Sequence, residues 1–236
     1  MNTRLALIFI LTLLFSSSVL AYGYGSSGGG MFTFGLGGSS VSSEQKDVNK
    51  LRADANTREG GLSVSDLDSA LEINGIIQLR IPSSIIGFQI RPSYFMQSEE
   101  GDGYEYSTNG MNFAGYLKLY PMESDFMRVF FQMGVLWGSL DTLIKEDDFQ
   151  VKASGSNLGY AGGVGFEIFF DSHTIFLEAG WRFLPIQQNI VSSMSGTKLN
   201  DDLTQVTDNS ELEYQNKDLE TNMSGVQLML GYGISF

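Results

Sequence analysis

Eight segments of the sequence alternate apolar and polar residues with a period of two. Successive side chains of a β-strand point to opposite faces of a sheet, so this period predicts strands that separate an apolar face from a polar one. The first segment, for example, places Phe32, Phe34 and Leu36 on one face. The segments cover residues 32–37, 69–81, 85–96, 110–120, 126–138, 157–170, 174–184 and 226–236.

The charged residues of these segments all lie on the polar face. They are Glu72, Arg80, Arg91, Lys118, Arg128, Glu167, Glu178 and Arg182. A charge that faces lipid near the bilayer midplane costs about 2–4 kcal/mol, so a membrane would demand this segregation. The apolar faces therefore indicate contact with lipid, and the charged faces indicate an enclosed interior.

The connections between the segments alternate between short and long. Residues 82–84, 121–125 and 171–173 form short connections, whereas residues 39–68, 97–109, 139–156 and 185–222 form long ones. Short turns at one end and long loops at the other are typical of bacterial outer-membrane barrels. We therefore predict an all-β fold in which residues 31–236 form an eight-stranded antiparallel up-and-down transmembrane β-barrel with four long surface loops.

The first 21 residues predict a secretory signal peptide. Arg4 precedes an unbroken apolar run over residues 5–15, and Val19 and Ala21 occupy the −3 and −1 positions of a small-residue cleavage site. The run is shorter than the roughly 20 residues that a membrane-spanning helix needs. Residues 22–30 are expected to form a flexible Gly/Ser-rich lead-in. Their G-x-G-x-x-G spacing lacks the preceding strand of a nucleotide-binding motif.

The last segment carries the most specific pattern, an apolar residue at every second position up to the terminal one: Leu228, Leu230, Tyr232, Ile234 and Phe236. Residues 31–236 resemble the small eight-stranded outer-membrane β-barrels, the OmpA membrane-domain and OmpX-like group. The resemblance implies a monomer in the bacterial outer membrane, surrounded by membrane lipid and lipopolysaccharide. It also implies that the barrel-assembly machinery reads the C-terminal pattern as an assembly signal, and that no periplasmic domain follows it.

An eight-stranded barrel has an interior just wide enough for side chains to fill it. Buried charges are costly unless they are paired and hydrogen-bonded, so we expect the eight charged residues to form a structural network that plugs the lumen. Arg128 and Glu167 should lie at similar heights on neighbouring strands, with Arg91 and Glu178 nearer mid-height. One alternative is a narrow channel for ions or small solutes. A second is a soluble, lipocalin-like secreted barrel, against which the polar, Gly-rich second face and Phe236 both argue.

Aromatic residues near both ends of the segments predict two interfacial girdles. Tyr94, Trp137, Trp181 and Phe183 lie near the long loops. Phe126, Phe170, Tyr232 and Phe236 lie near the short turns.

Composition excludes several classes of function. The net charge of −13 argues against nucleic acid as a partner, because phosphate binding needs clustered Lys and Arg. The absence of cysteine excludes disulfides and thiol chemistry, and a single histidine removes most zinc sites. The long loops carry most of the acidic residues, yet none has the spacing of a calcium loop. We therefore expect solvated acidic loops, no metal site and no cofactor.

The sequence offers no catalytic residues. The only histidine, His173, lies in a short turn that should face the periplasm, away from the exterior end where the outer-membrane enzymes of this kind place theirs. Asp171, Ser172 and His173 are sequence neighbours and cannot converge as a catalytic triad does. We expect a non-enzymatic protein with a structural or surface-interaction role through its acidic loops.

Overall fold

The computed structural model describes residues 31–60, 63–81, 84–197 and 202–236. The predicted signal peptide and lead-in, residues 1–30, lie outside the described residues. Seven long strands come first: β1 (Phe32–Ser42), β2 (Ala70–Arg80), β3 (Ile86–Gly101), β4 (Tyr104–Glu123), β5 (Met127–Glu146), β6 (Phe149–Phe170) and β7 (His173–Phe183). Six short ones follow: β8 (Pro185–Ile186), β9 (Ile190–Ser195), β10 (Leu203–Gln205), β11 (Glu213–Tyr214), β12 (Lys217–Asp218) and β13 (Thr221–Asn222). The last is β14 (Gly225–Ser235), and helix α1 (Lys46–Glu59) lies between β1 and β2.

Eight antiparallel strands close into a ring. Strands β1 to β6 each pair with the next strand along the chain, β7 pairs with β14, and β14 pairs with β1. The β1–β14 pairing continues to the last residue, where the backbone N–H of Phe236 donates to the carbonyl of Phe32 at 2.8 Å. Because every edge of the ring is paired, it leaves no open edge for another chain. The prediction of a mostly β, antiparallel fold is confirmed.

The two faces of the ring strands differ sharply in exposure. Ile77 and Gln78 are neighbours on β2, yet 43% of Ile77 is exposed and only 3% of Gln78. Every second residue faces inward, so the apolar set lies outside and the polar set inside, as the alternation predicts. Seven of the eight predicted interior charges are buried, and Arg80 is half-buried at the short-turn end of the ring.

Glycines on the inner wall make room for large side chains from neighbouring strands. A Cβ atom on Gly165 of β6 would lie 2.4 Å from Cζ of Phe130 on β5. The ring can therefore be narrow and still enclose aromatic side chains.

Two of the predicted long loops are hairpins instead. Strands β3 and β4 continue to a turn at Asp102 and Gly103, and β5 and β6 continue to a turn at Asp147 and Asp148. Asp102, Gly103 and Asp147 have φ values of 49°, 89° and 54°, a region that Gly and Asp tolerate best. The prediction of loops over 97–109 and 139–156 is therefore wrong for most of their length. Acidic residues at both tips obscured the continuing alternation.

The other two long connections fold onto these hairpins and form a compact cap. Helix α1 buries Val48, Leu51 and Ala55, which are spaced three and four residues apart along one helical face. They pack in one apolar cluster with Tyr106 of β4 and residues of the segment between β7 and β14. Strand β9 pairs with the cap end of β6, at residues 150–154. The expectation of solvated loops over 39–68 and 185–222 is wrong, since both segments contribute to a buried core.

Candidate functional site: the interior of the ring and its cap

A carboxylate holds two arginines at the short-turn end of the interior. Glu123 Oε1 accepts hydrogen bonds from Arg80 Nη1 and Arg128 Nε, both at 2.6 Å. The register of β4 and β5 places Glu123 directly opposite Arg128. The sequence prediction missed Glu123 because it assigned the residue to a turn. A β-bulge between Leu119 and Met122 shifts the register there, which turns Glu123 inward and out of phase with the alternation before it.

Lys118 forms the next layer and is fully buried. Its Nζ lies 3.2 Å from Glu167 Oε1 and donates to Gln78 Oε1 at 2.8 Å. Tyr120 donates to the same Glu167 oxygen at 2.9 Å. Nζ also lies 3.8 Å from the ring centroid of Phe130, a distance that allows a cation–π interaction. Lys118 is thus satisfied by two oxygens and an aromatic face.

Arg128 and Glu167 are register partners on β5 and β6, in agreement with the heights predicted for them. Arg128 Nη1 and Glu167 Oε2 are 4.0 Å apart. Glu167 therefore links the layer of Lys118 to the arginine below it.

Arg91 and Glu178 form an ion pair in the middle of the ring. Lys118 Nζ lies 3.5 Å from the other Glu178 oxygen, and Gln132 Nε2 donates to Glu178 Oε2 at 3.0 Å. Arg91 also donates to Gln89 Oε1 at 3.0 Å. This group, which we call the mid-ring cluster, consists of Gln89, Arg91, Lys118, Gln132 and Glu178.

Glu72 and Arg182 form the uppermost ion pair. Arg182 Nη1 and Glu72 Oε1 are 2.5 Å apart, and Asn112 donates to the same Glu72 oxygen at 3.0 Å. Gln227 and Ser39 donate to Glu72 Oε2 at 2.8 and 3.2 Å. Each of the eight charges predicted from sequence therefore has a partner of opposite charge within 4.0 Å.

An apolar cluster, which we call the seal, fills the cap side of the ring around Glu72 and Arg182. Its residues are Val41, Ala70, Phe95, Ala114, Tyr116, Leu136, Leu140, Ala161, Leu184, Ile186 and Met223. Three of them come from outside the ring strands, namely Leu184, Ile186 and Met223. They fit against inward glycines, since a Cβ on Gly138 would lie 2.6 Å from Leu184 Cδ2 and one on Gly155 would lie 2.5 Å from Ile186 Cγ2.

Polar contacts fix the seal at its rim. The Leu184 N–H donates to Ser224 Oγ at 2.7 Å, and Asn157 donates to the Pro185 carbonyl at 2.7 Å. Gln45 directly precedes α1, and its Nε2 donates to the Asn222 carbonyl at 2.6 Å. These bonds tie the first and the last long segments to each other and to the ring wall. The sequence prediction missed this arrangement because both segments read as loops.

The cap carries the net charge of the molecule. Residues 43–69, 97–109, 139–156 and 185–224 contain 21 acidic and 8 basic residues, a net charge of −13. Its buried carboxylate, Glu146, accepts from Arg58 at 2.8 Å and from Tyr106 at 2.9 Å. Burial and the adjacent Glu146 carboxylate raise the pKa of the Tyr106 hydroxyl well above its usual value. The remaining surface of the cap is strongly acidic.

His173 lies at the short-turn end of the ring, at the start of β7. Its Nδ1 is hydrogen-bonded to the Tyr232 hydroxyl, and both side chains are exposed. Within the described parts of the chain, no three His, Cys, Asp or Glu side chains are grouped as metal ligands. Those same parts contain no helix with the length and apolarity needed to cross a membrane.

The residues of the C-terminal pattern face outward along β14. Leu228, Leu230 and Tyr232 are 62%, 61% and 51% exposed. Phe236 is partly exposed, and its ring centroid lies 6.4 Å from that of Phe34. No protein-family model matches the chain, and a comparison with curated protein sequences finds no match.

Proposed function

We propose that this chain is a non-enzymatic β-barrel protein of the bacterial outer membrane, with a closed interior and an acidic cap that serves envelope structure or surface contact. The observation that carries the proposal is the orientation of the ring. Its outer face is apolar and exposed, and its inner face holds the ion pairs.

The outer face is too apolar for contact with water. Leu71, Val135 and Leu158 lie on different strands and are 64%, 71% and 72% exposed. Soluble proteins rarely expose continuous apolar patches above a few hundred Å², and this face extends around the ring. A soluble lipocalin-like barrel would need the opposite orientation, with its charges in water. The exposed apolar side chains of this face therefore favour contact with lipid over contact with water.

One group of aromatic side chains lies toward the cap end of the outer face. Phe113 and Trp137 stack with centroids 6.2 Å apart, and Tyr160 lies 5.7 Å from Trp181 and 5.4 Å from Phe183. Such rings suit the membrane–water interface because one end is apolar and the other tolerates water. Their positions support a membrane boundary just below the cap.

The closed interior favours a structural or surface role over conduction. A solute that entered from the cap side would have to displace the seal and then separate the pairs Glu72–Arg182 and Arg91–Glu178. Breaking a buried pair costs about 3–5 kcal/mol, so these layers oppose passage. The acidic cap would instead attract cationic partners, and divalent cations could bridge it to anionic lipopolysaccharide.

Fractionation and heat-modifiability test the proposal directly. The full chain should be found in the outer-membrane fraction, and the detergent-extracted protein should migrate differently on a gel before and after boiling. A folded protein recovered from the soluble fraction, with no such shift, would contradict the proposal.

A further inference from the structure

A groove on the outer face of the ring follows the cap end of β1. Its floor is formed by Gly38 and Ser40, two small outward residues, and Ser42 continues this row toward the cap. Toward the short turns, the row continues with the larger Leu36. The groove has a volume of about 590 Å³. The strand pairings place larger apolar side chains along both of its sides, Leu71 and Ile73 on β2 and Leu228 and Leu230 on β14.

The dimensions and charge of the groove limit what it can bind. Neighbouring strands lie about 4.8 Å apart, so the side-chain rows of β2 and β14 are separated by about 10 Å between their centres. The slot between these rows is therefore narrower than an α-helix with its side chains, which measures about 10–12 Å across. Of the described residues that line the groove, Glu72 alone is charged, and its side chain points inward to Arg182. The groove thus fits a slender, uncharged chain.

The cap end of the groove lies close to the membrane boundary proposed above. Ser42 of β1 and Trp181 of β7 both pair with Val226 of β14, so the groove begins near the aromatic side chains of the cap end. From Ser42 to Gly38 it descends along the strand by about 14 Å. A lipid acyl chain has this course, since it begins at the head group and extends into the hydrocarbon.

We propose that the groove binds one acyl chain of a membrane lipid, with the ester group of the chain beside Ser42 and Ser40 and its methylene groups over Gly38. A chain in the groove contacts protein atoms on three sides, whereas a chain on a flat part of the outer face contacts them on one, so dispersion contacts favour the groove. The serine hydroxyls can donate hydrogen bonds to the ester oxygens. This inference rests on the membrane location proposed above and adds one specific lipid site to it.

Photolabelling of the folded full chain in phosphatidylcholine vesicles tests the site. The vesicles contain a trace of phosphatidylcholine with a diazirine group in the middle of one acyl chain, and mass spectrometry after illumination locates the attached lipid. Ile73 should carry several-fold more label than Val135, although 59% of Ile73 and 71% of Val135 are exposed. Val135 is the reference because it lies outside the groove on β5.

Ser40→Leu fills the groove with an apolar side chain and should bring the ratio of label at Ile73 to label at Val135 close to one. Ser156→Leu is the matched control, because it makes the same change at an exposed outward position of β6 and should leave the ratio unchanged. Heat-modifiability on a gel verifies that both variants are folded.

Equal labelling of Ile73 and Val135 in the unchanged chain would overturn the site and leave the membrane location intact. A ratio that Ser40→Leu does not lower would overturn it in the same way. Less label at Ile73 than at Val135 would mean that a second copy of the chain covers the groove, which also overturns lipid binding there. An outer face without any label would overturn both the site and the membrane location.

Discussion

Each charged side chain inside the ring depends on particular partners. Arg91 and Glu178 illustrate this, because β3 and β7 are not adjacent and the pair joins opposite walls. Neither residue can reach water by a change of rotamer, since both are more than nine-tenths buried. The loss of one partner therefore leaves the other charge buried with reduced compensation.

We expect Arg91→Met and Glu178→Gln each to lower the free energy of unfolding by about 3–5 kcal/mol, because each leaves one charge without its main partner. The double variant should cost clearly less than the sum of the two, since it removes both charges together. Reversible urea titration in detergent measures all four proteins. Additive costs would show that the two side chains do not interact.

The outer face gives a second prediction at the scale of single residues. Ile77→Arg should destabilise the protein in lipid vesicles by about 2–4 kcal/mol, because it places a charge in hydrocarbon. Ser98→Arg is the matched control, since Ser98 is an exposed residue on the cap end of β3 and should change stability by less than about 0.5 kcal/mol. Urea titration in vesicles measures the free energy of unfolding of both variants. Equal, small effects would mean that Ile77 faces water.

The face of the strand on which each side chain lies was largely predictable from the sequence. A strand has only two faces, and the charged residues identify the inner one. All eight predicted interior charges have oppositely charged partners within 4.0 Å, and for Arg80 this partner is Glu123 at the exposed short-turn end. Glu123 was not predictable, since the bulge before it depends on the pairing of β4 with β5. The position of such a β-bulge cannot be read from the alternation of apolar and polar residues.

At the scale of elements, the seal depends on how a connecting segment fits the ring wall. Leu184 and Met223 lie against Gly138 of β5, where an added Cβ would lie 2.6 Å from Leu184 Cδ2 and 3.1 Å from Met223 Sδ. The same wall elsewhere carries large side chains. A glycine at this position therefore admits the segment into the ring.

We expect Gly138→Val to destabilise the protein by about 1–3 kcal/mol, because the new side chain overpacks the seal. Gly115→Val is the control, since a Cβ on Gly115 meets no atom within 4 Å. It should change stability by less than about 0.5 kcal/mol. Urea titration in detergent compares the two variants. An unchanged free energy of unfolding for Gly138→Val would show that the seal is loosely packed.

Helix α1 supports a separate prediction about the cap. Leu51→Asp should open the cap and speed tryptic cleavage at Arg52 and Arg58, because it puts a charge into the buried cluster. Ala53→Asp is the control on the exposed face of the same helix and should leave cleavage at Arg58 at the original rate, since its carboxylate adjoins only the Arg52 site. Mass spectrometry of the fragments measures both rates. Equal cleavage of the two variants would show that the cap core does not hold α1 in place.

The elements of the cap were not predictable from their sequence pattern. The acidic residues of the 97–109 and 139–156 segments read as solvated loops, yet the hairpins stay paired because α1 and the last long segment cover one of their faces. Leu184, Pro185 and Ile186 form a short apolar run that carries no period. Contacts between distant segments decide these structures.

At the scale of the whole molecule, charge is divided into three zones. The outer face of the ring is apolar, the interior is ion-paired, and the cap holds the net charge of −13. This division suits a molecule with lipid around its ring and water around its cap. We therefore expect the outer face of the ring to contact lipid hydrocarbon.

Tryptophan quenching by brominated lipids tests this contact between the ring and the hydrocarbon. The chain has only two tryptophans, Trp137 and Trp181, and both face outward with 42% and 47% of their surface exposed. In vesicles, bromines placed near the headgroup end of the acyl chain should quench both strongly, and bromines near the chain end should quench them less. Aqueous iodide should have little effect. Quenching by iodide, with none by any brominated lipid, would show that the outer face of the ring lies in water.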